Sequence, residues 1–515
     1  MKYINMKKYL IVSLILMNLL WVDFFAQHTD ISLKSQIGDL GNGYYLNPIL
    51  AGDYADPTIV RDGSDYYMTH SSFDYLPGLK VLHSKDLVNW EPISHALKTY
   101  LGSVWAPDIT KHGDKFYIYF TVAGKKGGNY VVWANSPYGP WSDPINLGVK
   151  HIDPGYAEGE NGSKWLFVSG GHRIRLTEDG LTAVGELEKV YDGWEYPSDW
   201  VTTCFCLEGP KVRYINGYYY YVNAQGGTLG APTAHMAVLA RSRSINGPWE
   251  NSPHNPLVHT ANSSERWWNK GHASLIDTPD GKWYMIYHSY ENGYLNLGRQ
   301  TLLEPLEWTN DGWLRIPEKT TPEKPIKKPI VSKSQPGLLD RLGEFRIGYE
   351  WRFFKDYDPS RVSVKDREIT IQGKGKNAQE SAPLLFIGGL HGYEIEVEIE
   401  LEPKAIAGFV LWYNEQYMVG MGVDTKNRYS YRRSGPNRSG SHVETNRIWL
   451  RIRNDNHVVS GTYSFDGDSW KRDTWGMEVG GYNNNTLGDF MSLLPGIFVS
   501  GEGKATFKNL RFREL

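Results

Sequence analysis

Acidic or other polar residues recur at the start of short apolar segments along this 515-residue chain. The five starting positions are Asp56, Asp108, Asp153, Glu208 and His272. Paired carboxyl groups can hydrolyse a glycosidic bond when one keeps its proton and the other activates water. Asp-Pro and Glu-Gly-Pro are also ordinary turn sequences, so any single start could be structural. Their repetition favours a shared site over five unrelated turns.

Each start belongs to a repeated pattern of apolar strand, Gly-containing turn and aromatic strand. In the first copy, residues 56–60 are followed by the turn 62–63 and the strand 66–68, and successive starts lie 52, 45, 55 and 64 residues apart. Such repeats are typical of propeller blades, so five copies predict a five-bladed β-propeller. The first strand of each blade lines the channel, where crowded carboxyls should leave one protonated.

The remaining chain is predicted to be all-β as well. The 34 Tyr, 19 Trp and 17 Phe favour strands, and the 54 Gly and 27 Pro favour turns. The length suits two domains, with the propeller at residues 45–316. Residues 317–340, rich in Pro and Lys, predict an exposed linker. Strict alternation at 394–401 and further short strands predict a jelly-roll-like β-sandwich in residues 341–515.

The N-terminus has the pattern of a signal peptide over residues 1–26. Lys2, Lys7 and Lys8 precede a mostly apolar run, and Ala26 suits a cleavage site. A membrane anchor is the alternative, although the run is shorter than the roughly 20 residues that a spanning helix needs. We expect export to the periplasm or the medium, with no membrane partner after cleavage. The net charge of -3 and the absence of a basic stripe argue against nucleic-acid binding.

The two cysteines, Cys204 and Cys206, are expected to be buried free thiols. If both lie on one strand, their side chains point to the same face and are about 7 Å apart. That separation is too large for a relaxed disulfide. A zinc site is disfavoured because zinc takes four ligands.

Several motifs, in order, resemble glycoside hydrolase family 43 across residues 45–316. They are Ala55-Asp56-Pro57, Ser71-Ser72-Phe73, Pro77-Gly78-Leu79, residues 83–90, Trp105-Ala106-Pro107-Asp108, Ile152-Asp153-Pro154, Glu208-Gly209-Pro210, Gly271-His272-Ala273 and Gly298-Arg299-Gln300. Each motif is weak alone, and the ordered set is specific. The resemblance implies an exo-acting, configuration-inverting α-L-arabinofuranosidase or β-D-xylosidase, with a β-sandwich that often follows the propeller.

The resemblance also implies roles for individual residues. Asp56 would be the general base, Glu208 the general acid, and Asp153 the residue that raises the pKa of the acid. Substrate-binding positions would be Phe73, Trp105, His272 and Arg299, and Asp108 would be a structural hydrogen-bonding partner. No cofactor or catalytic metal is expected, while a structural calcium in the channel near His272 stays open. The Cys-Phe-Cys segment before Glu208 departs from the family pattern.

Other classes of protein fit the sequence less well. A non-catalytic carbohydrate-binding propeller would not need both Asp56 and Glu208. A retaining fructan hydrolase would carry Arg where Ile152 stands, and a kelch or WD scaffold would not need acidic residues at the pore. The sequence leaves open arabinose against xylose, with a slight preference for arabinose, and the parent polymer, such as arabinoxylan or xyloglucan. It also leaves open whether the sandwich binds polysaccharide or shapes the pocket mouth.

Overall fold

The computed structural model describes residues 37–125, 127–332, 338–433, 436–437, 442 and 444–515. The predicted signal peptide, residues 1–26, lies outside the described residues. Regular structure in the described part is nearly all β-strand, with a four-residue α-helix at Asn484–Leu487. Short 3-10 helices occur at Ser169–Gly171, Leu295–Leu297, Leu338–Glu344, Pro359–Arg361 and Ala378–Glu380. The predicted all-β class is confirmed.

Among the residues described, no helix is both long and apolar enough to cross a membrane.

Five antiparallel sheets form the first half of the chain. Blade 1 contains Thr58–Asp62, Asp65–Thr69, Gly78–Ser84 and Glu91–Leu97. Blade 2 contains Val104–His112, Lys115–Val122, Gly128–Ala134 and Ile145–Asn146. Blade 3 contains Gly155–Glu158, Lys164–Val168, His172–Leu176 and Ala183–Lys189. Blade 4 contains Glu208–Ile215, Tyr218–Gln225, Met236–Ser242, Glu250–Asn251 and Val258–His259. Blade 5 contains Trp267–Asp277, Trp283–Glu291, Gln300–Trp308, Tyr44–Leu50, Ile37–Asp39, Leu314–Arg315 and Ile326–Lys327. The five-bladed β-propeller is confirmed.

Blade 5 closes the ring by joining the start of the propeller to its end. The early strand Tyr44–Leu50 pairs with the late strand Gln300–Trp308. Asn47 Nδ2 donates to the Leu303 carbonyl at 2.9 Å, and Leu303 N–H donates back to Asn47 Oδ1 at 2.9 Å. This closure leaves the inner strands of all five blades around one channel.

The predicted linker packs on the propeller in part. Ile326–Lys327 pairs with Tyr44 and Tyr45. Lys328 Nζ lies 2.7 Å from Asp39 Oδ2 and 2.9 Å from Asp86 Oδ2, and all three side chains are about 1% exposed. The expected exposure of the linker is therefore wrong at Lys328, because a buried pair of carboxylates holds its ammonium group.

Two further sheets form the C-terminal β-sandwich, which confirms the second half of the predicted fold. One sheet contains, in spatial order, Pro436–Asn437, Arg428–Arg433, Met418–Val423, Ala405–Trp412, Leu494–Gly501, Leu384–Leu385, Arg352–Phe354 and Tyr75–Leu76. The other contains Val362–Lys365, Glu368–Gln372, Lys504–Glu514, Gly392–Leu401, Arg447–Asp455, Val458–Ser464 and Lys471–Glu478.

The sandwich and the propeller share a sheet and a core. Tyr75–Leu76, which lies between strands of blade 1, pairs with Arg352–Phe354 of the sandwich. Buried side chains of both parts form one continuous apolar cluster. Asp53 Oδ2 also accepts a hydrogen bond from Ser492 Oγ at 2.8 Å. These contacts fix one edge of the sandwich beside the channel mouth.

Candidate active site

All seven predicted site residues line one pocket at an end of the propeller channel. The lining comprises Asp56, Phe73, Trp105, Ala106, Ile152, Asp153, Glu208, Thr228, His272, Arg299 and Phe490. Because the inner strands begin at this end, residues far apart in the sequence meet there. The structure thus brings the predicted residues together, and their individual roles stay predictions.

Six of the lining residues share an uncommon backbone conformation with positive φ, and three of them are predicted site residues that start a repeat. Asp56, Asp153 and His272 have φ of 55°, 60° and 54°, in the left-handed region that side chains other than glycine rarely adopt. Asp56 and Asp153 each stand two residues before the inner strand of a blade, whereas His272 lies within the inner strand Trp267–Asp277. Such conformations persist where surrounding structure imposes them, and they cluster at functional sites.

Asp56 is held as a carboxylate by groups of blades 1 and 5. Its Oδ1 lies 2.8 Å from Arg299 Nη1, 3.0 Å from His288 Nδ1 and 3.4 Å from His272 Nδ1. Its Oδ2 accepts a 2.5 Å hydrogen bond from Ser71 Oγ. Burial opposes its charge, but Arg299 and the two imidazoles hold the pKa of Asp56 well below its usual range. Asp56 is therefore ionised at neutral pH.

Ser71 and His288 were missed by the sequence analysis. Ser71 Oγ accepts a hydrogen bond from Ala106 N–H at 2.7 Å, so its own proton is directed to Asp56. His288 is fully buried, and burial lowers its pKa to about 4, so it is neutral at neutral pH. The repeat predicted site residues only at the start of an inner strand, and neither Ser71 nor His288 lies at such a position.

Glu208 and Asp153 have the opposite electrostatics. Burial, followed by the charges of Asp153 and Asp56, raises the pKa of Glu208 well above its ordinary value. Burial and the Asp56 charge also raise the pKa of Asp153, to about 7. Gly209 N–H, next to the acid, donates to Asp153 Oδ2 at 3.2 Å. One pocket therefore holds an ionised carboxylate, Asp56, beside a pair of carboxyls, Asp153 and Glu208, that together retain a proton.

Arg299 occupies the centre of the pocket wall. Its guanidinium lies 5.7 Å from the ring centre of Phe73 and 5.4 Å from that of Phe490. Its side chain is 5% exposed, so the ion pair with Asp56 is shielded from solvent. Arg299 thus orients the carboxylate and presents its remaining N–H groups to the pocket.

Phe490 is the contribution of the sandwich to the pocket. It follows the helix Asn484–Leu487, and Asn484 Oδ1 accepts a hydrogen bond from Phe490 N–H at 2.9 Å. Its ring packs edge-on against Trp105, with centroids 5.4 Å apart. The sandwich therefore packs on the propeller and supplies part of the pocket wall. No repeat or motif signal marked Phe490, since it lies more than 170 residues beyond the propeller.

Asp108 lies away from the pocket and joins neighbouring blades. It accepts hydrogen bonds from Thr58 Oγ1 at 3.0 Å and from Tyr156 N–H at 2.8 Å. Lys211 Nζ lies 3.1 Å from Asp108 Oδ1 and donates to the carbonyl of Pro107 at 3.1 Å. Asp108 is thus the structural hydrogen-bonding partner that the sequence analysis predicted.

The cysteine prediction is wrong. Cys204 and Cys206 form a disulfide, with Cα atoms 5.2 Å apart, and Cys204 is exposed. They precede the strand Glu208–Ile215 and lie in a loop, where Cys206 has φ of 36°. The extended spacing of about 7 Å assumed for i and i+2 therefore does not apply.

The residues near His272 do not fit calcium. Asp56, His272 and His288 offer ligand atoms within 4.8 Å of one another. Calcium takes six to eight oxygen ligands, whereas two of these three donors are imidazole nitrogens. Arg299 already lies 2.8 Å from the shared Asp56 oxygen and would repel a cation there.

A five-bladed propeller with oppositely perturbed carboxyls in a small aromatic pocket defines a glycoside-cleaving enzyme. Residues 45–314 match the model of the glycosyl hydrolases family 43, and residues 347–513 match that of the beta xylosidase C-terminal concanavalin A-like domain. The chain belongs to glycoside hydrolase family 43, whose members need no cofactor. The predicted family and enzyme class are confirmed.

Named relatives point the same way. A non-reducing end alpha-L-arabinofuranosidase of Bacteroides ovatus is 29% identical, with 90% of this chain and 92% of that protein covered. A beta-xylosidase of Bacillus subtilis is 32% identical over 83% of this chain and 90% of that protein. The crystal structure of a xylan beta-1,4-xylosidase from Bacillus halodurans matches with a TM-score of 0.78 and 26% identity, covering 91% and 100% of the two chains. These similarities support an exo-acting glycoside hydrolase.

Proposed function

We propose that this chain is an exo-acting, inverting glycosidase acting on hemicellulose oligosaccharides such as arabinoxylan or xyloglucan fragments. It releases terminal α-L-arabinofuranose, β-D-xylose or both. The observation that carries the proposal is the opposite perturbation of two carboxyls in one pocket. The pKa of Asp56 is held well below its usual range, and that of Glu208 is raised well above it.

The reaction follows from these protonation states. Asp56 accepts a proton from water, and the water oxygen attacks the anomeric carbon. Glu208 gives its proton to the glycosidic oxygen as the bond to the leaving sugar breaks. The water enters opposite the leaving group, so the anomeric configuration inverts. Proton exchange with solvent then returns Asp56 to its carboxylate and Glu208 to its acid form.

Asp153 and Arg299 stabilise the protonation states that these two proton transfers require. The charge of Asp153 adds to the burial that keeps the proton on Glu208. Arg299, 2.8 Å from Asp56 Oδ1, stabilises the base in its charged form and can donate to a sugar hydroxyl. His272 lines the pocket, and its Nε2 has no hydrogen-bond partner among the described residues, so we assign it to a water or a sugar hydroxyl.

The pocket walls support removal of one sugar at a time. Phe73, Trp105 and Phe490 surround the carboxyls, and aromatic faces pack against the C–H faces of a sugar ring. With the sandwich residue Phe490 on the rim, an internal sugar of a polymer would have to displace this wall. A chain end enters without doing so.

The relatives do not agree on which pentose is released, because some are named arabinofuranosidases and others xylosidases. The arabinofuranosidase of Bacteroides ovatus and the beta-xylosidase of Bacillus subtilis match this chain to a similar degree. A Bacteroides ovatus structure described as Xyloglucan PUL GH43B matches with a TM-score of 0.80 and 25% identity, covering 92% of this chain and 100% of that chain. We favour arabinose, with xylose as a second product of the same pocket.

The place of action in this proposal is outside the cytoplasm. The N-terminal pattern of residues 1–26 predicts export, and the Cys204–Cys206 disulfide suits an oxidising compartment. Fractionation of cells that make the full chain tests this: protein in the periplasm or medium, lacking its first residues, supports export. Uncleaved protein in the cytoplasm contradicts it.

A proton NMR time course tests the reaction. The purified chain is mixed with arabinosylated xylo-oligosaccharides, and the first anomer released is recorded, with Glu208→Ala as the control. Release of one pentose with inverted configuration supports the proposal and identifies the sugar. Binding without release, seen as broadened sugar signals in both proteins, would favour the non-catalytic carbohydrate-binding propeller.

A further inference from the structure

Aromatic side chains cluster on the loop that precedes the acid. Residues 190–207 form no strand, and they carry Trp194, Tyr196, Trp200 and Phe205. The rings of Trp194 and Trp200 lie 6.0 Å apart, and those of Tyr196 and Phe205 lie 5.8 Å apart and nearly parallel. Phe205 is 43% exposed. We call residues 194–205 the aromatic loop; the Phe205 ring is exposed and the other three rings are partly exposed, with one face of Trp200 stacked on His259.

The aromatic loop is fixed at both ends. Gln225, which is fully buried, accepts from Trp194 N–H at 2.8 Å and donates to the Trp194 carbonyl at 3.1 Å. Gly226 N–H donates to the Phe205 carbonyl at 3.1 Å, and the Cys204–Cys206 disulfide encloses Phe205 itself. A surface already ordered before binding loses little entropy when a ligand arrives.

The disulfide connects this loop to the pocket. A Cβ atom on Gly227 would lie 3.1 Å from Cys204 Sγ and 3.5 Å from Cys206 Sγ, so the disulfide packs directly on that glycine. The next residue, Thr228, lines the pocket. Glu208 lies two residues beyond Cys206. The aromatic loop therefore borders the pocket on the side of the acid.

The position of the acid fixes the direction of the substrate. A general acid donates its proton to the oxygen of the leaving group, so the leaving part of the substrate extends past Glu208. We propose that the aromatic loop binds the sugars of the leaving oligosaccharide, and that the disulfide is a positioning device for Phe205. This inference rests on the proposed function, since it assigns the leaving side of the same site.

The test compares substrates of different length on the same enzyme. The kcat/KM is measured for xylobiose and xylotetraose, and for the same two backbones carrying a terminal arabinofuranose. The variants are Phe205→Ala, Trp194→Ala and the double variant Cys204→Ser with Cys206→Ser. Tyr214→Ala is the control, because Tyr214 is 61% exposed and lies near the far end of the strand that Glu208 begins.

We expect wild type and Tyr214→Ala to prefer the longer substrate to the same degree. Loss of one stacking ring should lower the long-to-short ratio of kcat/KM by about five-fold, through KM. The cysteine variant should lower it in the same direction. A ratio unchanged in Phe205→Ala and Trp194→Ala would overturn the inference while leaving the reaction intact. No hydrolysis of any substrate by wild type would instead refute the proposed function.

Discussion

Phe490 gives the sharpest test of how the sandwich serves the pocket. In Phe490→Ala the ring contact with the Arg299 guanidinium, 5.4 Å from the ring centre, is lost. The edge-on contact with Trp105, 5.4 Å between centroids, is lost as well. Phe490 has φ of 54°, and alanine there bears the same backbone restriction, so the change removes the ring without relaxing the loop.

The expected magnitude follows from the two contacts. A shielded cation–aromatic contact contributes about 0.5–2 kcal/mol, and an edge-on aromatic pair contributes about 0.5–1.5 kcal/mol. Together they amount to about 1–3.5 kcal/mol, which lowers kcat/KM about 5- to 400-fold. Both kcat and KM should change, because Arg299 orients Asp56 as well as binding sugar.

Steady-state kinetics on a 4-nitrophenyl pentoside measures the effect, and urea unfolding checks the stability. Phe465→Ala is the matched control: Phe465 lies in the same domain, is 43% exposed, and packs beside Tyr463 rather than at the pocket. We expect the control to retain wild-type kinetics. A Phe490→Ala enzyme with kcat/KM within two-fold of the control would refute the reasoning that the sandwich completes the sugar pocket.

Four further predictions concern the carboxyls and their cations. Glu208→Ala should lose about 10²–10⁴ in kcat on oligosaccharides but less on 4-nitrophenyl glycosides, whose leaving group needs no proton; equal losses would contradict its role as the acid. Asp56→Ala should abolish turnover of both substrates, and near wild-type turnover of the aryl glycoside would remove it as the base. Lys211 lowers the pKa of Asp153, so Lys211→Met should let the Asp153–Glu208 pair keep its proton to higher pH. The alkaline limb of kcat/KM should then move upward, and a downward move would contradict this. Lys328→Met leaves Asp39 and Asp86 buried without their cation, so the free energy of unfolding in urea should fall by about 3–5 kcal/mol; a change below about 1 kcal/mol would show that the linker is not fastened there.

The acid–base pair accounts for the expected pH profile. Asp56 is ionised down to low pH because Arg299, His272 and His288 lower its pKa against burial. Glu208 retains its proton because burial and the neighbouring carboxylates raise its pKa. Activity should therefore fall on the acid side as Asp56 takes up a proton, and on the alkaline side as the Asp153–Glu208 pair loses one. A profile that rises steadily with pH would contradict Glu208 as a proton donor.

The sequence alone determined the architecture and most of the pocket. The five repeated starts are Asp56, Asp108, Asp153, Glu208 and His272. They predicted five blades, and the inner strands of a propeller must share one axis. From this rule, residues more than 200 positions apart in the sequence can be predicted to lie close together, without any knowledge of side-chain geometry. Phe73, Trp105 and Arg299 came from the family resemblance, and the structure places them in the same pocket.

Tertiary structure decided what no local pattern encodes. The conformation before Glu208 is a loop with Cys206 at positive φ, so the cysteines approach closely enough to pair, against the strand spacing assumed from their separation. Lys328 is buried because two distant carboxylates, Asp39 and Asp86, meet there. Phe490 lies at the pocket because the sandwich is joined to the propeller, where Tyr75–Leu76, between strands of blade 1, pairs with Arg352–Phe354. The periodicity of a sequence indicates which face of a strand is buried. It carries no information on which distant parts of the chain pack together. The pocket is completed by such long-range packing.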